Sequence, residues 1–261
     1  QINNIYSEAE AEMELIIKDK SLKIVIEDNK IKDLREDIYV NTEVFYIDDP
    51  HIVDELEEIS MEKIKFSHRG QLIENLLNVE KESVINELLA EDRWEKINDK
   101  LNDIIQGKFT RKKNGRSFFY EEKNGYEKIN VKNLSMGLKV FTIIKLLIQN
   151  NSLKENGTII LDEPEIHLHP EWQIKFAELI VLLQKEFGMH ILLTTHSPYF
   201  LKAIQVYSKK YEISDKCKYY MSELDGEQAI LVDKTSKTDD LFYKLAISFE
   251  NLMNEEELYE D

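Results

Sequence analysis

Several features are scarce in this sequence of 261 residues. Cys217 is its one cysteine, so no internal disulfide can form, which excludes the disulfide-stabilised secreted domains and favours a reducing, cytoplasmic setting. No apolar run approaches the ~20 residues that a membrane-spanning helix needs, so we expect no membrane association. Basic residues are outnumbered, with 34 Lys and Arg against 51 Asp and Glu and a formal net charge of -17. Such a surface repels phosphate backbones at long range, so nucleic-acid contact would be local or belong to a partner.

The spacing of apolar residues divides the chain into three parts. The first part, residues 1–50, is an N-terminal antiparallel β part: residues 12–34 alternate apolar and polar residues, typical of a meander, and a short buried strand follows at 44–47. Residues 51–106 lack proline, contain one glycine and carry apolar residues at helical spacing, so we predict a helical insertion. Residues 107–261 open with a second meander, marked by two Asn-Gly turns, and continue as alternating helices and strands. The sequence therefore predicts a mixed α/β fold.

Two short apolar strands in the C-terminal part are each followed by side chains suited to chemistry. TIIL at 158–161 runs into Asp162 and Glu163, and HILLTT at 190–195 runs into His196. The helix expected between them makes a parallel crossover, and ligands of such sheets bind beyond the carboxyl ends of the strands. One acid there can hold Mg²⁺, a second can deprotonate an attacking water, and the histidine can donate a hydrogen bond to a phosphate. The simpler interpretation is a pair of solvated acids and a structural histidine.

The stretch NLSMGLK at 133–139 begins a long apolar helix. Ser135 and Gly137 lie at its N-terminus, where free N–H groups and a small residue make an anion site. An N-cap at Ser135, with the glycine allowing close packing, explains the same residues equally well.

Two other motifs admit a functional and a simpler interpretation. His167 and His169, spaced as His-x-His, could ligate zinc or iron, but such a site needs three or four ligands and the remaining histidines are not obvious partners. The basic hairpin at 108–120 could contact nucleic acid through its cations and aromatic residues. A hairpin edge protected by charge is the simpler interpretation.

The motifs LSMGLK, IILDEP and TTHS, in this order and at these spacings, resemble those of the ATP-binding-cassette (ABC) ATPases. Within that class the chain is similar to the SMC/RecF-like, OLD-type bacterial AAA ATPases, which include ATPase subunits of anti-phage defence systems. The resemblance covers about residues 131–206. It implies an ABC/SMC-head-like P-loop NTPase fold with ATP and Mg²⁺ as cofactors. Asp162 would then serve Walker B by holding the metal, Glu163 would be the catalytic carboxylate, and His196 would be the switch histidine.

The same resemblance implies that LSMGLK is the signature motif. Ser135 and Gly137 would meet the γ-phosphate of an ATP held by a second head, and Lys139 stands where the SMC-like branch carries a lysine. The expected partner is therefore a second copy of the chain, in a homodimer closed around ATP. This copy departs from the usual signature at Met136, where glycine is usual, and at Leu138, where Gln or Glu is usual.

His169 stands at the position of the usual D-loop aspartate, which the resemblance places at the dimer interface.

No G-x-x-x-x-G-K-[ST] motif occurs in these 261 residues, so the backbone nest that holds the β-phosphate is missing from them. In the family it precedes the first meander, so we expect roughly 50–80 upstream residues to carry it. The full-length protein would then be an ATPase, and this chain alone would be inactive. The alternatives are a non-catalytic nucleotide-sensing or dimerisation module and the ATPase part of a nuclease system, with a nuclease or other effector as partner.

Overall fold

A computed structural model places the described residues in two units, Gln1–Thr42 and Glu43–Asp261. Every helix among them is too short or too polar to cross a membrane. The described residues are 11–17, 20–27, 30–36, 43–57, 67–77, 96–111, 118–122, 128–226 and 228–257.

The first unit is a three-stranded antiparallel meander in the order β1-β2-β3. Its strands are β1 (Ala11–Ile17), β2 (Lys20–Glu27) and β3 (Lys30–Glu36). Alternation of apolar and polar residues predicts this arrangement, since successive side chains of a strand point to opposite faces. Among the described residues of this unit, Ile26 is the apolar residue that is buried.

A parallel sheet organises the second unit, in the order β4-β8-β9. Its strands are β4 (Val44–Ile47), β8 (Thr158–Leu161) and β9 (His190–Leu193). Ile47 pairs with Leu161, and Leu161 with Leu193, so all three strands end at the same level. The residues that directly follow them therefore share one edge of the sheet.

The second unit also contains two smaller antiparallel sheets. One has the order β5-β6-β7 and the other is the hairpin β10-β11. The tip of the predicted basic hairpin, residues 112–117, lies outside the described residues. The bounds are β5 (Lys108–Arg111), β6 (Phe118–Glu121), β7 (Lys128–Asn130), β10 (Tyr220–Asp225) and β11 (Gln228–Asp233).

Helices surround the parallel sheet and supply most of its core. Within the described residues of the predicted insertion, the structure has two helices and a helical segment at 96–102. Three more helices belong to the C-terminal part, and a fourth ends it. The bounds are α1 (Ile52–Glu55), α2 (His68–Leu77), α3 (Met136–Gln149), α4 (Pro170–Phe187), α5 (Pro198–Lys210) and α6 (Asp239–Glu257).

Aromatic side chains join the three central helices of this unit. Phe141 on α3 meets Phe176 on α4 edge to face, with ring centroids 5.2 Å apart, and Trp172 in the same way at 5.9 Å. Phe176 stacks on Phe200 of α5. All three phenylalanines are fully buried, so this cluster anchors the helices on the sheet that bears the candidate site.

Glu178 on α4 is a buried carboxylate held by three donors. Its Oε1 accepts hydrogen bonds from Lys210 Nζ at 2.9 Å and from the Tyr211 hydroxyl at 2.6 Å, and its Oε2 lies 3.0 Å from Lys100 Nζ. Burial alone would raise the pKa of Glu178, but hydrogen bonds from Tyr211, Lys210 and Lys100 outweigh it and hold the pKa below its ordinary value. The cluster ties α4 to α5 and to the segment at 96–102.

Replacing Glu178 with glutamine is expected to lower the free energy of unfolding by about 2 kcal/mol near neutral pH. Because the folded-state pKa is lowered, this stabilisation is fully present above the unfolded-state pKa of about 4.3 and is lost as pH falls through the folded-state value. The difference between the two proteins should therefore shrink in acid. Urea unfolding at a series of pH values measures it, with Glu171→Gln on the exposed first turn of α4 as the control. A difference that stays constant down to the lowest pH would contradict the assignment.

Candidate functional site

Asp162 stands directly after β8 and is held from both neighbouring strands. Its Oδ1 accepts a hydrogen bond from Thr194 Oγ1 at 2.6 Å, and its Oδ2 accepts one from the Tyr46 hydroxyl at 3.4 Å. Burial and the nearby charges of Asp162 and Asp48 raise the pKa of Tyr46, so its hydroxyl keeps its proton and donates. The carboxylate is thus fixed in orientation while still exposed at the sheet edge.

Glu163 adopts a left-handed backbone conformation, with φ at +42°. Few residues other than glycine do so, and such strain concentrates at functional sites. Its N–H donates to Thr194 Oγ1 at 3.0 Å, so one hydroxyl binds both acids of the pair. This turn leaves the Glu163 side chain 38% exposed.

The structure brings His196 beside Glu163. His196 Nε2 lies 3.3 Å from Glu163 Oε1, and the imidazole is 80% exposed. The parallel pairing of β8 with β9 explains the contact, because each residue follows its strand by two or three positions. Two carboxylates and an exposed imidazole therefore converge at one edge of the sheet, which suits hydrolysis at a phosphoryl group.

A cavity of ≈ 210 Å³ opens beside the two acids. Its floor is apolar and its rim is acidic, so it favours a cation near the rim. Aliphatic and aromatic side chains of the sheet and of α3 and α4 form the floor: Ile47, Val140, Ile144, Leu161 and Phe176. Asp48, Asp49, Asp162 and Glu163 form the rim.

The donor set fits magnesium carried in with a nucleotide. Among the described residues, no three His, Cys, Asp or Glu side chains form a group that could hold a metal ion. Mg²⁺ does not require one, since it usually keeps several waters and takes one or two carboxylates together with substrate phosphates. Asp162 is the carboxylate best placed to provide that contact.

His167 and His169 occupy different environments. His167 is exposed and lines the cavity. His169 is the N-cap of α4, where its Nδ1 accepts a hydrogen bond from the Glu171 N–H at 3.4 Å.

The start of α3 packs against the segment that follows the two acids. Ser135 caps the helix by accepting a hydrogen bond from the Leu138 N–H at 3.4 Å. A Cβ added to Gly137 would meet Leu168 Cδ2 at 3.2 Å and the His167 carbonyl oxygen at 3.3 Å. The glycine therefore serves close packing, whatever else it contacts.

Lys139 turns away into the protein. Its side chain is only 4% exposed, and its Nζ donates to both carboxylate oxygens of Asp54, at 2.7 and 2.8 Å. Asp54 Oδ2 also lies 3.0 Å from His51 Nδ1. The ammonium group of Lys139 is thus paired with a carboxylate on α1. The contact with nucleotide that the resemblance implies for Lys139 stays a prediction.

Sequence reasoning does not single out Tyr46 or Thr194. Tyr46 lies on β4 and Thr194 directly follows β9, and the pairing of these strands with β8 brings both residues to Asp162 from distant parts of the chain. For Thr194 a signal exists: it follows β9 at the position where Asp162 follows β8. For Tyr46 no local signal exists, because β4 pairs with a strand more than a hundred residues later.

Comparison with known proteins identifies the family. The sequence model of a family described as "AAA domain, putative AbiEii toxin, Type IV TA system" matches residues 25–202, more than half of the chain. The chain belongs to this AAA family. The predicted recognition of an ABC/SMC-like AAA ATPase of the anti-phage-defence-like group is thereby confirmed.

Two curated relatives match shorter stretches of the chain. The Retron Vc95 probable ATPase of Vibrio cholerae serotype O1 biovar El Tor is 34% identical over 31% of this chain and 17% of its own length. The Septu protein PtuA of Bacillus thuringiensis is 43% identical over 19% of this chain and 12% of its own length. The chain thus covers less than a fifth of either relative.

Among solved structures, SMC head domains are similar to the AAA domain at low identity. The SMC head domain from Thermotoga maritima has a TM-score of 0.44 and 10% identity, covering 85% of this chain and 72% of that one. The SmcHead bound to the C-winged helix domain of ScpA has a TM-score of 0.45 and 11% identity, covering 82% and 64%.

Proposed function

We propose that this AAA domain is the Walker B and switch-histidine part of an ABC/SMC-like ATPase head, and that the full-length protein binds and hydrolyses ATP. The observation that carries the proposal is the convergence of Asp162, Glu163 and His196 at the carboxyl edge of a parallel sheet. That edge is where open α/β sheets bind their ligands. Membership in an AAA family supports ATPase activity independently of this geometry.

Each of the three side chains has its own proposed role. Asp162 would hold Mg²⁺, oriented by the hydroxyl of Thr194. Glu163 would orient the attacking water and accept its proton. His196 would donate a hydrogen bond to the terminal phosphate, since its exposed Nε2 is free to turn from Glu163 toward a ligand. Mg²⁺ and ATP, when bound, supply the reacting phosphoryl group and neutralise its charge.

Ser135, Gly137 and Lys139 are proposed to act across a homodimer, facing ATP held by the second head. The exposed Ser135 at the N-terminus of α3 supports this, because free N–H groups there favour an anion. Lys139 would contribute only if its pair with Asp54 opened, and otherwise it fixes the helix that presents Ser135.

We further propose that closure of the dimer drives a nuclease or another effector, in the cytoplasm and in a defence or DNA-related process. The similarity to a retron ATPase and to Septu PtuA supports a defence role.

A non-catalytic module that senses nucleotide or dimerises is the second candidate. The buried pair of Lys139 with Asp54 favours it, since this pair withdraws one predicted signature contact from solvent. Such a module would bind ATP and change its oligomeric state without releasing phosphate.

The test is Mg²⁺-dependent phosphate release by the full-length protein and its His196→Ala variant. Loss of a hydrogen-bond donor to the developing charge is expected to lower kcat by roughly 100-fold. His190→Ala, an exposed histidine at the opposite end of β9, is the matched control and should leave kcat unchanged. The isolated 261-residue chain is expected to release no phosphate. ATP binding by the full-length protein without turnover would favour the second candidate.

A further inference from the structure

Glu165 is a buried carboxylate that links the two loops of the site. The residue is 4% exposed, although it lies only two residues after the half-buried Glu163. Its Oε1 accepts a hydrogen bond from the Thr195 hydroxyl and a second from the His196 N–H at 3.1 Å. Both donors belong to the loop that carries the imidazole, so the segment after the acids is bonded directly to the segment after β9.

The hydrogen bonds of Thr195 extend this link to the next helix. Its Oγ1 donates to Glu165 and accepts from the Ser197 N–H at 3.0 Å. Ser197 Oγ donates in turn to Gln173 Oε1 on α4. Gln173 Nε2 donates to the carbonyl oxygens of Leu168 at 2.9 Å and of Glu165 at 3.4 Å, so the chain of hydrogen bonds returns to the residue where it began.

The two oxygens of the Glu165 carboxylate have different surroundings. Glu165 Oε2 is fully buried and has no hydrogen-bond partner among the described residues. Burying an acceptor without a partner destabilises a fold, so the two hydrogen bonds at Oε1 have to offset the cost of burying Oε2. The bonds that Glu165 does make go to residues 195 and 196, where they fix the backbone.

The imidazole of His196 needs such support. Because it is 80% exposed, packing does little to hold it near Glu163. Its place is set by the backbone of its loop, and the one backbone donor of His196 itself is bonded to Glu165.

We infer that Glu165 is a positioning residue, which fixes the His196 loop so that the imidazole stays within reach of Glu163 and of a bound ligand. The catalytic consequence of this inference rests on the proposed function, but the structural link does not. Reorientation of a loop by about 1 Å can cost roughly 100-fold in rate, so the effect on turnover should be large.

The first test measures amide hydrogen exchange at His196 in the full-length protein. In Glu165→Ala the His196 amide loses its acceptor and should exchange at least about tenfold faster, since protection depends on that bond. Glu165→Gln keeps an acceptor oxygen and should retain most of the protection. The amides of β9 should be unchanged in both variants, and Glu171→Ala on α4 is the matched control. Unchanged exchange at His196 in Glu165→Ala, or equal acceleration throughout β9, would overturn the inference.

The second test separates action through His196 from a general loss of structure. Glu165→Ala should lower kcat by roughly 10- to 100-fold with KM within about twofold. Added to His196→Ala it should cause no further loss, because both changes remove the same contribution. Additive losses would overturn the inference. Should Glu165→Ala fail to fold, Thr195→Val removes one of the two donors while keeping the side-chain volume, and it should show the same non-additivity.

The two tests also distinguish this inference from the proposed function. If His196→Ala leaves turnover unchanged while Glu165→Ala still accelerates exchange at His196, the proposed catalytic role fails and the positioning link stands.

Discussion

Replacing Glu163 with glutamine is expected to abolish ATP turnover in the full-length protein while leaving ATP bound. Glutamine keeps the size of the side chain and can still bond to His196, but it cannot accept a proton from water. General-base catalysis contributes roughly 100- to 10,000-fold, which corresponds to about 3–5 kcal/mol in the activation barrier. Because hydrolysis is proposed to open the dimer, the variant should accumulate as an ATP-bound dimer.

Two measurements check this expectation: phosphate release, and the oligomeric state with ATP and Mg²⁺. Glu171→Gln, an exposed glutamate on the first turn of α4, is the matched control and should turn over normally. Turnover by Glu163→Gln within a few-fold of the unchanged protein would refute the catalytic assignment. Loss of turnover together with loss of ATP binding would point to a folding defect at the strained turn instead, which thermal unfolding of the variant would reveal.

The positions of the proposed catalytic side chains could be predicted because each follows an apolar strand in the sequence. Asp162, Glu163 and His196 lie at strand ends, and the helix between the strands requires a parallel crossover. Their proximity follows once β8 and β9 are neighbours in the sheet, which the structure shows. What could not be predicted is the φ of +42° at Glu163, because a local sequence does not reveal which residue takes the strain of a turn.

The supporting contacts escaped prediction for a different reason. Tyr46 reaches Asp162 through the pairing of β4 with β8, which joins strands on either side of the helical insertion. Sequence spacing identifies a buried strand at 44–47 but gives no information about its partner. Glu165 was equally hidden, since an acid in a loop is ordinarily exposed and here it is buried.

Lys139 shows the same limit at a helix. The resemblance places Lys139 in the signature motif, facing ATP on a second head, and implies no partner within the chain. The structure gives it a partner 85 residues earlier in the chain, in the four-residue helix α1. Helical spacing alone cannot predict that partner, because the insertion that carries α1 folds back onto α3.

The two partners of this ion pair differ in burial, since the Lys139 side chain is 4% exposed and that of Asp54 is 29% exposed. This difference leads to the second large expected effect. Asp54→Ala leaves the ammonium of Lys139 buried and unpaired, which should lower the free energy of unfolding by roughly 3–5 kcal/mol. Lys139→Met should cost only about 1–2 kcal/mol, because Asp54 is 29% exposed and keeps His51 and water as partners. The double variant should recover most of the loss, since a methionine tolerates the apolar surroundings that an unpaired ammonium does not. Urea unfolding of the four proteins measures these differences.

The pH dependence gives the pair an independent check. Burial alone would raise the pKa of Asp54, but hydrogen bonds from Lys139 and His51 outweigh it and lower the pKa. The stabilisation is therefore present above the unfolded-state pKa of about 3.9 and is lost as pH falls through the folded-state value. The destabilisation by Asp54→Ala should therefore become smaller as the pH falls between these two pKa values. If it stayed the same across that pH range, the ion pair with Lys139 would not be the source of the stability that Asp54 provides.

The same variants decide what Lys139 does. If Lys139 only anchors α3 to α1, Lys139→Met should turn over ATP as fast as the unchanged protein. The double variant should do so too. Both rates are measured well below the unfolding temperature of each variant. If Lys139 leaves Asp54 to contact ATP on a second head, Lys139→Met should lose turnover by far more than its small loss of stability explains. Asp54→Ala would then keep turnover at low temperature, because it frees the ammonium that the contact requires.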